Sequence, residues 1–243
     1  MKKIRDVIFP TKNPYEGFVH NGNIDLTGWS EHPALWEFFI KVVNPSIIIE
    51  VGTYLGKTSI FWAQKIKSLG MNSQIICVDT WLGGLELYAE ENPLEWQNLF
   101  RVNHGLPRIY DVFLNNVVAE GLQDIITPIP LPSGLAAQLL QKHSIKSDLI
   151  YIDAGHDYNS VYADLHSYWD LLSPDGVMIC DDCGHGKSAN FMTGVREAVL
   201  KFCAEMDVFP LLDTTVNKCF LTKRNDRYGI DSAFTQNIYR PPR

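Results

Sequence analysis

Four apolar runs in this chain end on an acid or one residue past it: "SIIIEV" (46–51), "QIICVD" (74–79), "DLIYID" (148–153) and "VMICD" (177–181). Each is rich in Ile and Val, which suit a pleated core position. The stretches between them carry apolar residues at helical spacing. Strand runs that alternate with helical runs predict an α/β fold, a doubly wound and mostly parallel sheet.

The helices are read from periodicity and punctuation. From Ser30, the residues Leu35, Phe38, Phe39, Val42 and Val43 fall on a single face, Pro33 suits a first turn, and Asn44-Pro45 ends the helix. Further helices are predicted over 57–69, closed by Gly70, and over 109–120, closed by Gly121. Others are predicted over 135–141 and over 160–172, the last closed by the turn Ser173-Pro174-Asp175-Gly176. A final stripe contains Phe191, Val195, Ala198, Val199 and Phe202. The prolines of "IITPIP" (125–130) push that strand to a sheet edge. "VFPLLD" and "KCFLTK" read as a closing antiparallel hairpin, which brings the strands to seven. No repeat or Gly/Ser linker divides the chain. The expected organisation is one domain over 31–225, an N-terminal cap segment over 1–30 and a C-terminal tail over 226–243.

Composition narrows the partners. A net charge of −7 argues against nucleic acid or an anionic membrane as the main partner, since both need basic patches. No run is long and apolar enough for a transmembrane helix, and "MKKIRDVIFP" lacks the apolar stretch of a secretory signal. Cys77, Cys180, Cys183, Cys203 and Cys219 are odd in number, and two of them sit inside strands. They are expected to be reduced thiols of a cytoplasmic protein. A homo-oligomer remains open.

Ligands of such sheets bind at the carboxyl ends of the strands, where Glu50, Asp79, Asp153 and Asp181 are expected to ring one crevice. The loop "EVGTYLGKTS" (50–59) leads from strand to helix, with Gly52 and Gly56 allowing tight turns. It lacks the Gly-x-Gly-x-x-Gly of a dinucleotide site, and its "GKT" has the wrong spacing for a phosphate loop. An acid at the strand end favours a cationic or hydroxyl-rich ligand.

Glu50, Gly52, Tyr54, Gly56 and Thr58 form a pattern that resembles the class I S-adenosylmethionine-dependent methyltransferases, and within them the small-molecule O-methyltransferases of the catechol and macrolide-sugar types. The resemblance covers roughly residues 35 to 223. It implies that the 50–59 loop holds the methionine end of the cofactor, that Asp79 holds the ribose hydroxyls, and that Ser133 of "PLPSG" contacts adenine. Trp81 is placed to stack on adenine. Asp153 stands among the cofactor-binding residues as well.

Asp181 and Asp182 of "CDDC" follow Asp153 by 28 and 29 positions. Adjacent parallel strands would bring the three carboxylates together, and such a cluster is costly unless a cation neutralises it. All-oxygen donors suit Mg²⁺, Mn²⁺ or Ca²⁺. The metal-dependent O-methyltransferases carry that spacing for Mg²⁺. By the same resemblance His156, three residues past Asp153, is the general base that deprotonates a metal-chelated hydroxyl. A second reading makes His156 part of the cap of the next helix, with Asp157 as the N-cap itself. Cys180, Cys183 and His185 would be only half of a zinc site, which is disfavoured.

The stretch 81–108 holds no strand candidate and is long for an idle connection. Leu85, Tyr88, Trp96 and Phe100 fit a core helix or a substrate lid equally, and Phe18, His20 and Trp29 would close the same crevice. His185 and Lys187 are either substrate contacts or plain loop residues. The expected activity is Mg²⁺-dependent O-methylation of a small-molecule hydroxyl on a sugar-like, catechol-like or natural-product acceptor. The rivals are a nicotinamide oxidoreductase and a catalytically inactive binding relative.

Overall fold

The structure is a computed structural model, described for residues 3–28, 32–84, 104, 106–183 and 193–223. Its elements are α1 (Ile4–Ile8), α2 (Pro33–Val43), β1 (Ile47–Val51), α3 (Lys57–Ser68), β2 (Gln74–Asp79), α4 (Ile109–Ala119) and β3 (Ile126–Pro130). There follow α5 (Ser133–Lys142), β4 (Ser147–Ile152), α6 (Tyr158–Trp169), β5 (Leu172–Cys180), α7 (Thr193–Met206), β6 (Leu211–Asp213) and β7 (Lys218–Thr222). Leu85, Tyr88, Trp96 and Phe100 of the expected lid lie outside the described residues, as do Trp29, His185, Lys187, Phe191 and the tail.

The strands form one sheet in the order β3-β2-β1-β4-β5-β7-β6. β1 to β5 run parallel, and β7 runs antiparallel to both β5 and β6. The chain winds outward from β1 to β3, then returns past β1 to β4. The sheet therefore has its switch point between β1 and β4, and the crevice opens at their carboxyl ends. β3, with its two prolines, is an edge strand, because an interior strand would need the amide hydrogens that proline lacks.

The pleat sorts the strands onto two cores. Ile49, Val51, Ile150, Ile152, Met178 and Cys180 pack with Leu165 of α6 and Phe202 of α7. The alternate positions, Ile48, Cys77, Tyr151 and Ile179, pack with Trp36 of α2, Trp62 of α3 and Phe113 of α4. Both faces are covered, which is why these strands read as continuous apolar runs.

Two expectations shift. The buried face of α2 is Leu35, Trp36, Phe39 and Ile40, while Val42 is exposed. The i, i+4 row that includes Trp36 and Ile40 won because the large indole fills the space against Trp62 and Tyr151. Ser173 to Gly176 is not a free turn but an irregular opening of β5, where pairing moves from Ser147–Leu172 to Leu149–Val177. Asp157 is the N-cap of α6 and accepts from the amides of Asn159 and Ser160 at 3.0 and 3.1 Å, a bond type worth about 1 kcal/mol.

The N-terminal segment lies along α4 and reaches the first loop. Asn115 bonds the backbone of Asn21 and Asn23, and Asn116 bonds that of Asp25 and Leu55. Lys57 Nζ donates to Gly28 O at 2.7 Å. Gly52, at φ 90°, is the contact on which the crevice closes: a Cβ there would sit 2.0 Å from the carbonyl oxygen of Asp153. Gly52→Ala should therefore lose at least about 2 kcal/mol in urea unfolding. A wild-type midpoint and slope would show that the loops do not approach this closely.

Candidate active site

The alternation that buries Ile48 also decides where the acids go. Glu50 lies two residues on from Ile48, on the same face of the sheet, and so sits under α3 rather than in the crevice. It is 2% exposed, and the hydroxyl of Ser59 donates to its Oε2. Burial pushes its pKa up to about 8; the Ser59 bond opposes the rise and Asp79 adds to it.

Asp79 ends β2 and organises the first loop. Its Oδ2 accepts from the amides of Thr53 and Tyr54 at 3.0 and 2.8 Å, and its Oδ1 from the amide of Trp81 at 2.7 Å. Burial raises its pKa, and these amide bonds work against the rise. Trp81 is 2% exposed: its indole Nε1 donates to Tyr54 O at 2.7 Å, and its ring packs on Tyr110 and Phe113. The ring placed beside adenine by the sequence is thus a core ring that ties the two loops together. Thr58, in the first turn of α3, is also buried.

Tyr54 differs from these. It sits at φ 51°, and its phenol oxygen is buried without a hydrogen-bond partner among the described residues. Burial, with Asp25 nearby, raises its pKa to about 12. Ser133 opens α5; its hydroxyl bonds the Asp164 carboxyl, and its carbonyl accepts from Tyr168 Oη at 2.9 Å. Burial lifts Asp164 to about 6.

The acids after β4 and β5 come together, since these strands are parallel neighbours. The ligand atoms of Asp153, His156 and Asp182 all lie within 4.8 Å of one another. His156 Nε2 is 3.2 Å from Asp182 Oδ2, and Asn217 Nδ2 donates to Asp182 Oδ1 at 2.8 Å. Asp182 is left-handed at φ 55°, which turns it out of the strand direction. Burial drives the Asp153 pKa well up, Asp181 adds to this, and Lys218 offsets part of it.

Asp181 has different company. Lys218 Nζ donates to its Oδ1 at 2.6 Å, and Tyr151 Oη donates to its Oδ2. The sequence reading put Asp181 beside the ion and passed over Lys218, Tyr151 and Asn217. One signal was available: a lysine opening "KCFLTK" falls in the same pleat phase as Phe220 and is followed directly by the apolar Cys219, Phe220 and Leu221.

A sequence profile described as a methyltransferase domain matches residues 49–183, more than half of the chain. The chain belongs to that family. The uncharacterized protein y4gI of Sinorhizobium fredii is 24% identical to this chain over 158 residues, which are 64% of this chain and 15% of that protein. The chain thus spans only a small part of that relative's length. The solved O-methyltransferase from Bacillus cereus in complex with SAH superposes with a TM-score of 0.54 at 15% identity, over 90% of this chain and 95% of the other. The SAH-bound methyltransferase PaMTH1 of Podospora anserina gives 0.57 at 15% identity, over 82% and 80%. At these identities the likeness to the two structures is one of fold. Among the described residues, no helix is long and apolar enough to cross a membrane.

Glu50 makes the stability of the folded chain pH-dependent with a definite sign. The folded chain holds a proton that the unfolded chain has released, so stability falls as pH rises from about 4.5 through about 8, then levels off. Glu50→Gln should flatten that limb, worth on the order of several kcal/mol. Thermal melts across the range test this, and an unchanged slope in the variant would remove Glu50 as its source.

Proposed function

We propose that this methyltransferase moves the methyl group of S-adenosylmethionine to a hydroxyl oxygen of a small molecule, with a divalent cation, Mg²⁺ or Mn²⁺, at the acidic mouth of β4 and β5. The observation that carries the reading is the meeting of Asp153, His156 and Asp182 at the switch-point end of the sheet, beside the glycine loop. The fold shared with the Bacillus cereus O-methyltransferase supports transfer to oxygen.

The residues fit both groups. Mg²⁺ characteristically takes one or two carboxylates and fills its other positions with water and substrate oxygens, which suits Asp153 and Asp182. The buried phenol of Tyr54, without a hydrogen-bond partner among the described residues, suits a bound ligand, because such groups are rare in native proteins unless something completes them. The cofactor would be held by the Gly52–Gly56 loop with Tyr54, by the Asp79 end of β2 and by Ser133. Glu50, Thr58 and Trp81 would support that loop from beneath. When bound, the cation supplies Lewis acidity that lowers the pKa of an acceptor hydroxyl, and S-adenosylmethionine supplies the methyl group.

The chain's own contribution is proton removal and positioning. His156 takes the hydroxyl proton on its imidazole. The Asp182 carboxylate, 3.2 Å away, stabilises the imidazolium so formed. Asn217 holds the other oxygen of Asp182, fixing the carboxylate relative to the imidazole. Gly52 brings the backbone of the first loop against Asp153, so donor loop and acid stand side by side.

Calorimetry should register heat with S-adenosylmethionine and none with NAD⁺; the reverse would favour an oxidoreductase. Methyl transfer should stop with EDTA and return with added Mg²⁺, and transfer that ignores the chelator would refute the cation. His156→Ala should keep cofactor affinity and lose about 100-fold or more in kcat. Loss of cofactor binding instead would reassign the histidine to the cofactor site.

A further inference from the structure

The antiparallel register of β5 and β7 pairs Cys180 with Cys219, and one step further places Lys218 opposite Asp181. Both fall in the phase of the pleat that faces α2 and α3, with Tyr151, Ile179 and Phe220. Lys218 is 5% exposed. Its ammonium lies 2.6 Å from Asp181 Oδ1 and 3.3 Å from Tyr151 Oη. It also lies 5.3 Å from the ring centroids of Trp36 and of Tyr151. A buried ammonium needs an anion beside it, and Asp181 is that anion. The amide of Asp182 also donates to Asp181 Oδ1 at 2.8 Å, and the Tyr151 hydroxyl donates to Oδ2. Both oxygens of Asp181 are thus engaged by the chain itself, one of them by a buried ammonium, whereas the Asp182 carboxylate meets the side-chain amide of Asn217 and the imidazole of His156. Asp181 is also absent from the group of side chains whose donor atoms converge within 4.8 Å.

We propose that Lys218 is a built-in counter-ion that withholds Asp181 from the cation site, leaving Asp153 and Asp182 as its carboxylate ligands. The inference rests on the cation reading above and changes its ligand set. Two carboxylates with no ammonium against them, in place of three, hold an ion less tightly and leave more coordination positions to acceptor oxygens, because affinity at such sites follows the number of charged ligands. Lys218 lies on the C-terminal hairpin, beyond residues 49–183 of the family match.

The probe is Mn²⁺, with binding to the full chain followed by the electron paramagnetic resonance of the free ion and folding checked by circular dichroism. Lys218→Met frees a carboxylate and should tighten Mn²⁺ about tenfold, while Asp182→Asn should weaken it about tenfold or more. The double variant Lys218→Met with Asp181→Asn removes the ion pair without changing its net charge, and should bind Mn²⁺ within about threefold of wild type. If the single Lys218 variant fails to fold, the double variant decides alone. A wild-type protein that binds, with a double variant that loses tenfold, would make Asp181 a ligand and overturn this proposal while the cation reading stands. A Lys218→Met protein no tighter than wild type would overturn it as well. If wild type does not bind but Lys218→Met does, the counter-ion role holds and the native cation fails. Silence from both would end both.

Discussion

The constraint on which this structure turns is the crowding of negative charge at one end of a sheet that is buried on both faces. Parallel strands deliver their last residues to the same place, and five acids arrive there in a chain whose net charge is already −7. Each needs compensation, and the fold provides a different kind for each. Glu50 takes up a proton under α3 and accepts from Ser59. Asp79 is wrapped by the amides of the two loops that it joins. Asp181 has Lys218 and Tyr151. Asp182 has Asn217, and with Asp153 it is turned toward His156, where chemistry is proposed.

Compensation from within has a structural consequence. Lys218 enters the site from β7, so the antiparallel hairpin is tied to the acidic mouth as well as to the edge of β5. Breaking a buried ion pair by removing one member typically costs about 3–5 kcal/mol, because the remaining charge is left in a poor solvent. The N-terminal segment makes a comparable tie on the other flank. Asn115 and Asn116 hold it to α4, and Asn116 at the same time holds the carbonyl of Leu55 in the first loop. The cofactor loop of the proposed reaction is therefore braced from a part of the chain remote in sequence.

Much of the architecture was legible before any coordinates, because β-branched runs, helical stripes, glycine stops and edge prolines are local signals that agree with one another. The seven strands, the hairpin and the Asp157 cap follow from such signals. The face of α2 did not, because two overlapping apolar stripes were present and packing against Trp62 and Tyr151 chose between them. Of the site, the sequence could place Asp153, His156, Asp181 and Asp182 at neighbouring strand ends, since parallel adjacency follows from the order of elements.

What the sequence determined by itself is the winding of the sheet and the identity of the acids at its mouth. What only the tertiary structure decided is the work of each acid. The pleat phase turns Glu50 inward, the loop after β1 brings the amides of Thr53 and Tyr54 onto Asp79, and a strand 37 residues beyond Asp181 sets an ammonium against it. These are long-range pairings. A carboxylate's protonation, solvation and freedom to bind depend on what lies across from it in space, and strand order and register supply that neighbour.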